Sequence, residues 1–193
     1  MYEFAILDTE FTAWKGSLER GWSLNWERRE IINMAAIKFN NFSNVNIRSF
    51  DILCKTNKVK PLPMYIQKLT KISENKINSL GKTFPIGLKK ITRFFSDVKI
   101  IYVIGWDKKI IIENCKSHKL INPSFINKVV DIRPVISTFL KKNEKEVISS
   151  ELSKLKSNNK FKPHTALYDC FSIFYFLKKN INDENIKNFL KLN

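Results

Sequence analysis

The chain opens on an apolar run, Phe4-Ala5-Ile6-Leu7, that ends in Asp8-Thr9-Glu10, and this pattern predicts a buried strand over residues 2–10 with acids at its end. A second strand is predicted over 31–39, where β-branched and aromatic residues surround the small Ala35 and Ala36. Asn40-Asn41 marks a turn, and alternation over 45–54 predicts a third strand, so the first three form an antiparallel meander. About twenty residues separate the first two strands, too many for a hairpin turn. Connections beyond roughly 12–15 residues are uncommon and often functional.

A basic loop over 55–63, closed by Pro61 and Pro63, ends this region, and the apolar period then changes from two to roughly three and a half. Ser73 is placed to cap a short helix through Leu80. Pro85 can start another running to about Phe95, with Ile86, Leu88, Ile91, Phe94 and Phe95 forming one stripe. Residues 100–104 read as a strand buried on both faces, followed by a helix over about 108–118. A short strand at 129–130, a helix from Pro134, a lysine-rich polar stretch near 141–162 and helices from about Thr165 and Asp183 complete the chain. No repeat interrupts it. The expectation is one domain over 1–193, with a core over about 2–180 and a C-terminal helix over about 183–192. A chain of 193 residues can bury about 70% of its unfolded surface, so the core needs no disulfide or metal staple.

The sequence carries 34 basic and 18 acidic residues, a formal net charge of +16, which favours a polyanionic partner. Richness in Lys, Asn and Ile together also fits a compositional bias that loads lysine onto any solvated face. Three cysteines, Cys54, Cys115 and Cys170, form no Cys-x-x-Cys pair and read as small core residues in a reducing compartment. Cys115 and His118 suggest half of a zinc site, but the chain has only 2 histidines and no second cysteine pair follows, so zinc is not expected. The amino terminus lacks the basic start of a signal peptide, and no apolar run is long enough to span a bilayer. The expectation is a soluble, cytoplasmic protein with no membrane partner.

The candidate chemistry starts from the first strand. Side chains alternate along a strand, so Asp8 and Glu10 share one side while Thr9 points away. Two acids held side by side repel, and a divalent ion such as magnesium or manganese is the usual resolution. The same residues also fit a strand end with two solvated acids. Downstream stand Gly105-Trp106-Asp107, after the second apolar strand, and His164-Thr165-Ala166-Leu167-Tyr168-Asp169, opening a late helix. If the first strand lies beside the 100–104 strand and the late helix crosses the end of both, Asp8, Glu10, Asp107 and Asp169 converge. His164 then sits in the loop at the helix entrance, free to reach a water.

An Asp-x-Glu pair, a distant Asp and a final His-x4-Asp resemble the DEDDh 3′→5′ exonucleases, the superfamily that includes RNase T and the proofreading subunit of bacterial replicative DNA polymerase. Glu30-Ile31-Ile32, Leu69-Thr70-Lys71-Ile72 and Gly105-Trp106-Asp107 resemble the exoribonuclease branch that trims histone messenger and small interfering RNA ends. The resemblance spans about residues 2–180. It departs in two places: Lys71 stands where that family commonly has Gly, and the insertion over 12–30 is longer. The other subtype places Tyr four residues before the last Asp, where this chain has Thr165, so the histidine subtype is favoured.

The resemblance implies an α/β, RNase H-like fold: a mixed five-stranded sheet with flanking helices. It implies two divalent metal ions, Mg2+ or Mn2+, roughly 4 Å apart. Asp8 would bridge them, Glu10 and Asp169 would complete one site, and Asp107 would support the second through water. His164 would take the proton of the attacking water. The implied partner is single-stranded nucleic acid, RNA rather than DNA, although DNA also fits.

The insertion holds Trp14, Trp22 and Trp26 among Lys15, Arg20, Arg28 and Arg29. Aromatic faces beside cations are what a single-stranded site uses, so the candidate substrate contacts are Thr9, Phe11, Trp14, Arg20, Trp22 and Trp26. Indoles packed back on the sheet fit the same pattern. Trp106 reads as packing, His118 as a surface residue, Asp131 as a helix cap, and Glu30 as a residue that fixes the chain's path. Two rival functions remain at this point. One is a binding protein of the same fold that has lost catalysis, although none of the five site residues is missing. The other is a hydrolase of small phosphodiesters or dinucleotides.

Overall fold

The computed structural model describes residues 2–42, 46–157 and 161–190. Strand β1 (Tyr2–Phe11) leads through a short helix, α1 (Ser17–Arg20), to β2 (Ile31–Phe39) and β3 (Arg48–Lys55). Helices α2 (Met64–Thr70) and α3 (Glu74–Leu80), strand β4 (Lys82–Thr83) and helix α4 (Phe84–Phe94) follow. Then come β5 (Val98–Val103), α5 (Asp107–Ser117), β6 (Val129–Asp131), α6 (Arg133–Leu140), α7 (Ala166–Lys179) and α8 (Glu184–Phe189). Short 3-10 turns occupy Ser124–Lys128, Glu144–Glu146 and Ser149–Glu151.

The strands form one mixed sheet in the order β4-β3-β2-β1-β5-β6. β1, β2 and β3 are the expected antiparallel meander, while β5 runs parallel to β1 and β6 parallel to β5. The sheet has six strands rather than five. The extra one, β4, has two residues that pair with Cys54 and Lys55, too few to leave a pattern in sequence. Helix α2 was also not anticipated, because it begins directly after Pro63 where prolines read as loop. The third strand starts at Arg48 and not near 45, which lies outside the described residues; residues 191 and 192 of the expected last helix do so too.

The alternation that predicts the strands also sorts the core. Phe4, Ile6, Ala35, Ile37, Phe39 and Tyr102 face α7, with Ile136 of α6 and Ile186 of α8. Ala5, Leu7, Met34, Ala36, Ile101 and Val103 face the other way, onto Leu88 and Ile91 of α4 and Ile110 and Ile111 of α5. Every residue of β2 is buried, as befits a strand covered on both faces. A smaller cluster of Ala13, Ile32, Leu62, Ile66, Ile72 and Ile77 ties the insertion to α2 and α3.

Helix α7 lies across β1 and β2, not across the ends of β1 and β5. Cys170 makes this approach close: its Sγ lies 3.6 Å from the Ile6 carbonyl oxygen and 3.4 Å from that of Ala35. All three cysteines are buried, and burial pushes the Cys54 thiol up to about 12 and the Cys115 thiol up to about 11. They are packing residues, not nucleophiles. No helix among the described residues is long and apolar enough to cross a membrane.

Candidate active site

The two-residue period of β1 continues past its apolar part and decides where each acid goes. Because Phe4 and Ile6 face α7, so do Asp8 and Glu10, and α7 brings Asp169 to them from its first turn. One oxygen from each of Asp8, Glu10 and Asp169 lies within 4.8 Å of the others. Thr9, in the opposite phase, faces α5, whose first residue is Asp107. The Thr9 backbone N–H and hydroxyl both donate to Asp107 Oδ1, at 2.8 and 2.7 Å. Thr9 is buried, and it clamps Asp107.

The turn before α5 is shaped for this. Gly105 has φ 97, a conformation that favours glycine. A Cβ there would meet Arg133 Nη2 at 1.5 Å, so the guanidinium can lie over this position only because no side chain occupies it. Arg133 Nη2 also donates to the Ile104 carbonyl at 3.1 Å. Asp131 Oδ1 accepts the Gly105 N–H and the Arg133 N–H, both at 2.9 Å. Asp131 therefore does serve the start of α6, and it also fixes the turn that delivers Asp107. Arg133 was not singled out in the sequence, since nothing in a lone Ile-Arg-Pro reveals which turn the guanidinium will cover.

Burial dominates the electrostatics. It pushes Asp8 well above the usual carboxylate range, and Asp107, Asp169 and Glu10 push it further. Glu10 is raised in the same way, by burial and then by Asp169 and Asp107. Burial raises Asp169 to about 7, with the His164 N–H opposing and Asp107 adding to the rise. Asp107 is raised to about 6, burial outweighing the Thr9 hydrogen bonds and the Arg133 charge that favour its ionised form. None of these four carboxylates enters an ion pair with a lysine or arginine among the described residues. An all-carboxylate cluster of this kind fits hard divalent cations, magnesium or manganese, because only an added positive charge lets all four ionise together.

His164 stands at the entrance of α7 with φ 61, and its backbone N–H donates to Asp169 Oδ1 at 3.3 Å. The ring is half-buried, and no hydrogen bond holds it among the described residues. Burial pushes its pKa below 6.5, with Glu151 pulling the other way. Burial thus favours the neutral form of the ring. His118 lies at the far end of α5, stacked on Phe84 at 5.2 Å.

The insertion divides its aromatic and basic residues between two tasks. Trp22 donates from Nε1 to the Thr12 carbonyl at 3.2 Å and packs between Phe11, at 5.6 Å, and Trp106, at 5.4 Å. The Arg29 guanidinium lies over both indoles, at 5.5 and 5.4 Å, and pairs with Glu113. Arg20 pairs with the buried Glu27 carboxylate and donates to the Lys15 carbonyl. Phe11, Arg20 and Trp22 therefore help to hold the insertion on the sheet; Trp106 packs as expected. Trp14 and Trp26 form a separate pair, edge to face at 4.9 Å, with Trp26 54% exposed. The buried Glu30 carboxylate accepts the backbone N–H groups of Asn57, Lys58 and Val59 at 2.7, 2.9 and 3.2 Å. It fixes the path of the basic loop, more than that of β2.

Known proteins share this architecture. A full-length 3′-exonuclease is 21% identical, with a TM-score of 0.75 over 94% of this chain and 83% of its own. The nuclease domain of 3′hExo, a DEDDh family member bound to rAMP, is 22% identical, with a TM-score of 0.73 over 96% and 94%. Exonuclease I of E. coli in complex with a dA16 oligonucleotide is 13% identical, with a TM-score of 0.68 over 98% of this chain and 43% of its own. At these identities the likeness establishes the RNase H-like exonuclease fold. No curated protein sequence matches the chain. The RNase T family model, described as "Exonuclease", matches residues 5–177, from the middle of β1 to within the helix that carries Asp169. With most of its length inside that match, the chain belongs to the exonuclease family of that model.

Proposed function

We propose that the protein is a metal-dependent exonuclease that removes nucleotides from the 3′ end of single strands, RNA in preference to DNA, with His164 as general base. The observation that carries this reading is the meeting of Asp8, Glu10 and Asp169 within 4.8 Å, with Asp107 clamped beside them and no protein cation paired to any of the four. Asp8, Glu10, Asp107 and Asp169 would hold two ions, Mg2+ or Mn2+. When bound, such ions offset charge on the scissile phosphate and make a water nucleophilic near neutral pH. The chain's own contribution is positional. Thr9 keeps Asp107 in one orientation, and α7 carries Asp169 and the His164 loop as one unit. His164, neutral above its lowered pKa, accepts the water's proton as the new P–O bond forms and the bond to the 3′ oxygen of the next nucleotide breaks.

The polarity and the RNA preference draw support from relatives, and a nucleic-acid substrate of either kind from charge. Two of the similar structures are a 3′-exonuclease and 3′hExo with rAMP, a third is a 3′-exonuclease recognising a histone mRNA stem-loop, and exonuclease I binds single-stranded DNA. A net charge of +16 suits either polyanion. Single-stranded RNA and DNA of one sequence, mixed in equal amounts with limiting enzyme, test the preference directly. Faster loss of the RNA is expected, and equal or faster loss of the DNA would overturn that part of the proposal.

Two further results are expected of the site. Thr9→Val should lower turnover about 10–100-fold, the usual cost of losing a hydrogen bond that orients a ligand, and Thr9→Ser should recover most of it. Chelation should make stability depend on pH in a defined direction. All four carboxyls bind protons more tightly in the folded chain than in the unfolded one, where aspartate titrates near 3.9. The stabilising protons are fully bound below about pH 4 and are lost as pH rises through about 6 for Asp107 and about 7 for Asp169, so metal-free stability should fall over that interval. Glu27 and Asp97, both lowered, act in the opposite sense only in more acidic solution, and His164, also lowered, offsets part of the fall below about pH 6.5, one group against four. Thermal melts in chelator should therefore show a lower midpoint at pH 7.5 than at pH 5. Magnesium or manganese at a hundred times its dissociation constant should restore about 2.7 kcal/mol at the higher pH.

A further inference from the structure

We propose that the cleft between the insertion and the basic loop is a second contact site for single-stranded nucleic acid, holding nucleotides that lie internal to the end being cut. The inference rests on the nuclease reading above and adds a site that neither the carboxylate cluster nor the family match assigns. The cleft has a volume of about 670 Å³ and is lined by Trp14, Trp26, Arg28, Lys58, Lys60 and Met64, with no carboxylate among its lining residues. Among the described residues no ion pair engages Arg28, Lys58 or Lys60, whereas the insertion's Arg20 and Arg29 are taken up by Glu27 and Glu113. Two large apolar side chains stand in water between these cations: Trp26 is 54% exposed and Met64 is 65% exposed.

This surface is built, not loose. Trp14 sets the angle of Trp26 by their edge-to-face contact, and Glu30 pins the backbone of Asn57, Lys58 and Val59 from below. A site preformed in this way gives up less ordering entropy on binding. Free cations beside exposed aromatic and apolar faces fit a ligand with an anionic backbone and flat bases, which is single-stranded nucleic acid. An acidic peptide would meet the cations and leave the indoles without use. Trp14 follows Glu10 by four residues, a span of no more than about 14 Å even for extended chain, so a short strand can reach both the cleft and the carboxylates.

The test compares binding of a fluorescent trinucleotide and a fluorescent dodecanucleotide, both single-stranded RNA, to full-length protein carrying Asp8→Asn to prevent cleavage. The dodecanucleotide should bind more tightly than the trinucleotide. Adding Lys58→Glu with Lys60→Glu, or Trp26→Ala, should weaken the dodecanucleotide about tenfold or more, reduce its salt dependence in the lysine variant, and leave the trinucleotide unchanged. In the otherwise wild-type enzyme the same substitutions should leave dinucleotide hydrolysis as it was. Lys58, Lys60 and Trp26 are exposed, and a melting curve checks that each variant is folded; the length dependence of the unsubstituted cleft tests the site even where a variant does not fold.

No gain in affinity with length, or folded variants that bind the dodecanucleotide as before, would overturn the site. Strong competition by polyglutamate through the same residues, with the oligonucleotide unaffected by the substitutions, would overturn it in favour of an acidic protein partner. The two readings fail separately. A wild-type enzyme that cleaves no strand yet shows these binding losses defeats the nuclease reading and keeps the cleft. Cleavage by wild type with binding indifferent to Lys58, Lys60 and Trp26 does the reverse.

Discussion

Asp8→Asn should stop hydrolysis, with turnover falling by roughly 10³-fold or more, while the metal-free protein melts at or above the wild-type temperature at pH 7.5. The two effects have one cause. Asp8 is buried, and Asp107, Asp169 and Glu10 all act against its ionised form. Removing its charge takes the shared ligand from both proposed metal positions, and metal stabilisation of a phosphoryl transition state is worth several kcal/mol, each 1.36 kcal/mol being tenfold in rate. The same change relieves repulsion in the empty site and keeps the side chain's shape, so no cavity opens in the core. Steady-state rates on a labelled strand and a chelated thermal melt read the two effects from one preparation. A variant that loses activity only because it unfolds would speak against this explanation.

His164→Ala should slow turnover roughly a hundred- to ten-thousand-fold, the range for losing a general base, and leave metal binding in place. Its pH profile carries the sharper signal. Burial holds the imidazole below its ordinary value of 6.5, with Glu151 in partial opposition, so the neutral ring that can take a proton predominates above about pH 6.5. At saturating metal the wild-type rate should rise with pH through an acidic limb and level off near neutrality. The variant should lose that limb. A rate within a few-fold of wild type, with the limb unchanged, would make His164 structural, its role reduced to the left-handed turn and the N–H that meets Asp169.

How far the sequence leads can be judged residue by residue. The alternation in Phe4-Ala5-Ile6-Leu7 carries directly into the site: it tells that Asp8 and Glu10 share a face, and the structure places that face against α7 and Asp169. The pairing of β1 with the strand before Asp107 was legible for a related reason, since an uninterrupted apolar strand must lie in the middle of the sheet. The same alternation says only that Thr9 points away. Its partner, Asp107, is 98 residues distant, and no local pattern announces a bond of that separation.

The insertion shows the limit more plainly. Interleaved Trp and Arg residues look alike in sequence, yet Arg29 finds Glu113 on α5 and Trp22 finds Trp106, both contacts made by tertiary packing. Trp14, Trp26 and Arg28 remain at the surface cleft, with partners from the basic loop that sequence presented merely as a connection. The function of Glu30 was hidden likewise, since its carboxylate meets backbone groups 27 to 29 residues away. β4 escaped for a simpler reason: a pair of residues has no period.

The proposed activity is removal of nucleotides from 3′ ends by the carboxylate cluster, loaded with divalent metal and served by His164. One time course tests it most directly: a single-stranded RNA labelled at its 5′ end, and the same strand labelled at its 3′ end, each incubated with the enzyme in magnesium or manganese and in excess chelator. The 3′ label should leave at once as a mononucleotide, the 5′-labelled strand should shorten as a ladder one nucleotide at a time, and chelator should stop both. Immediate release of the 5′ label, internal fragments from either strand, or undiminished cleavage in chelator would contradict it.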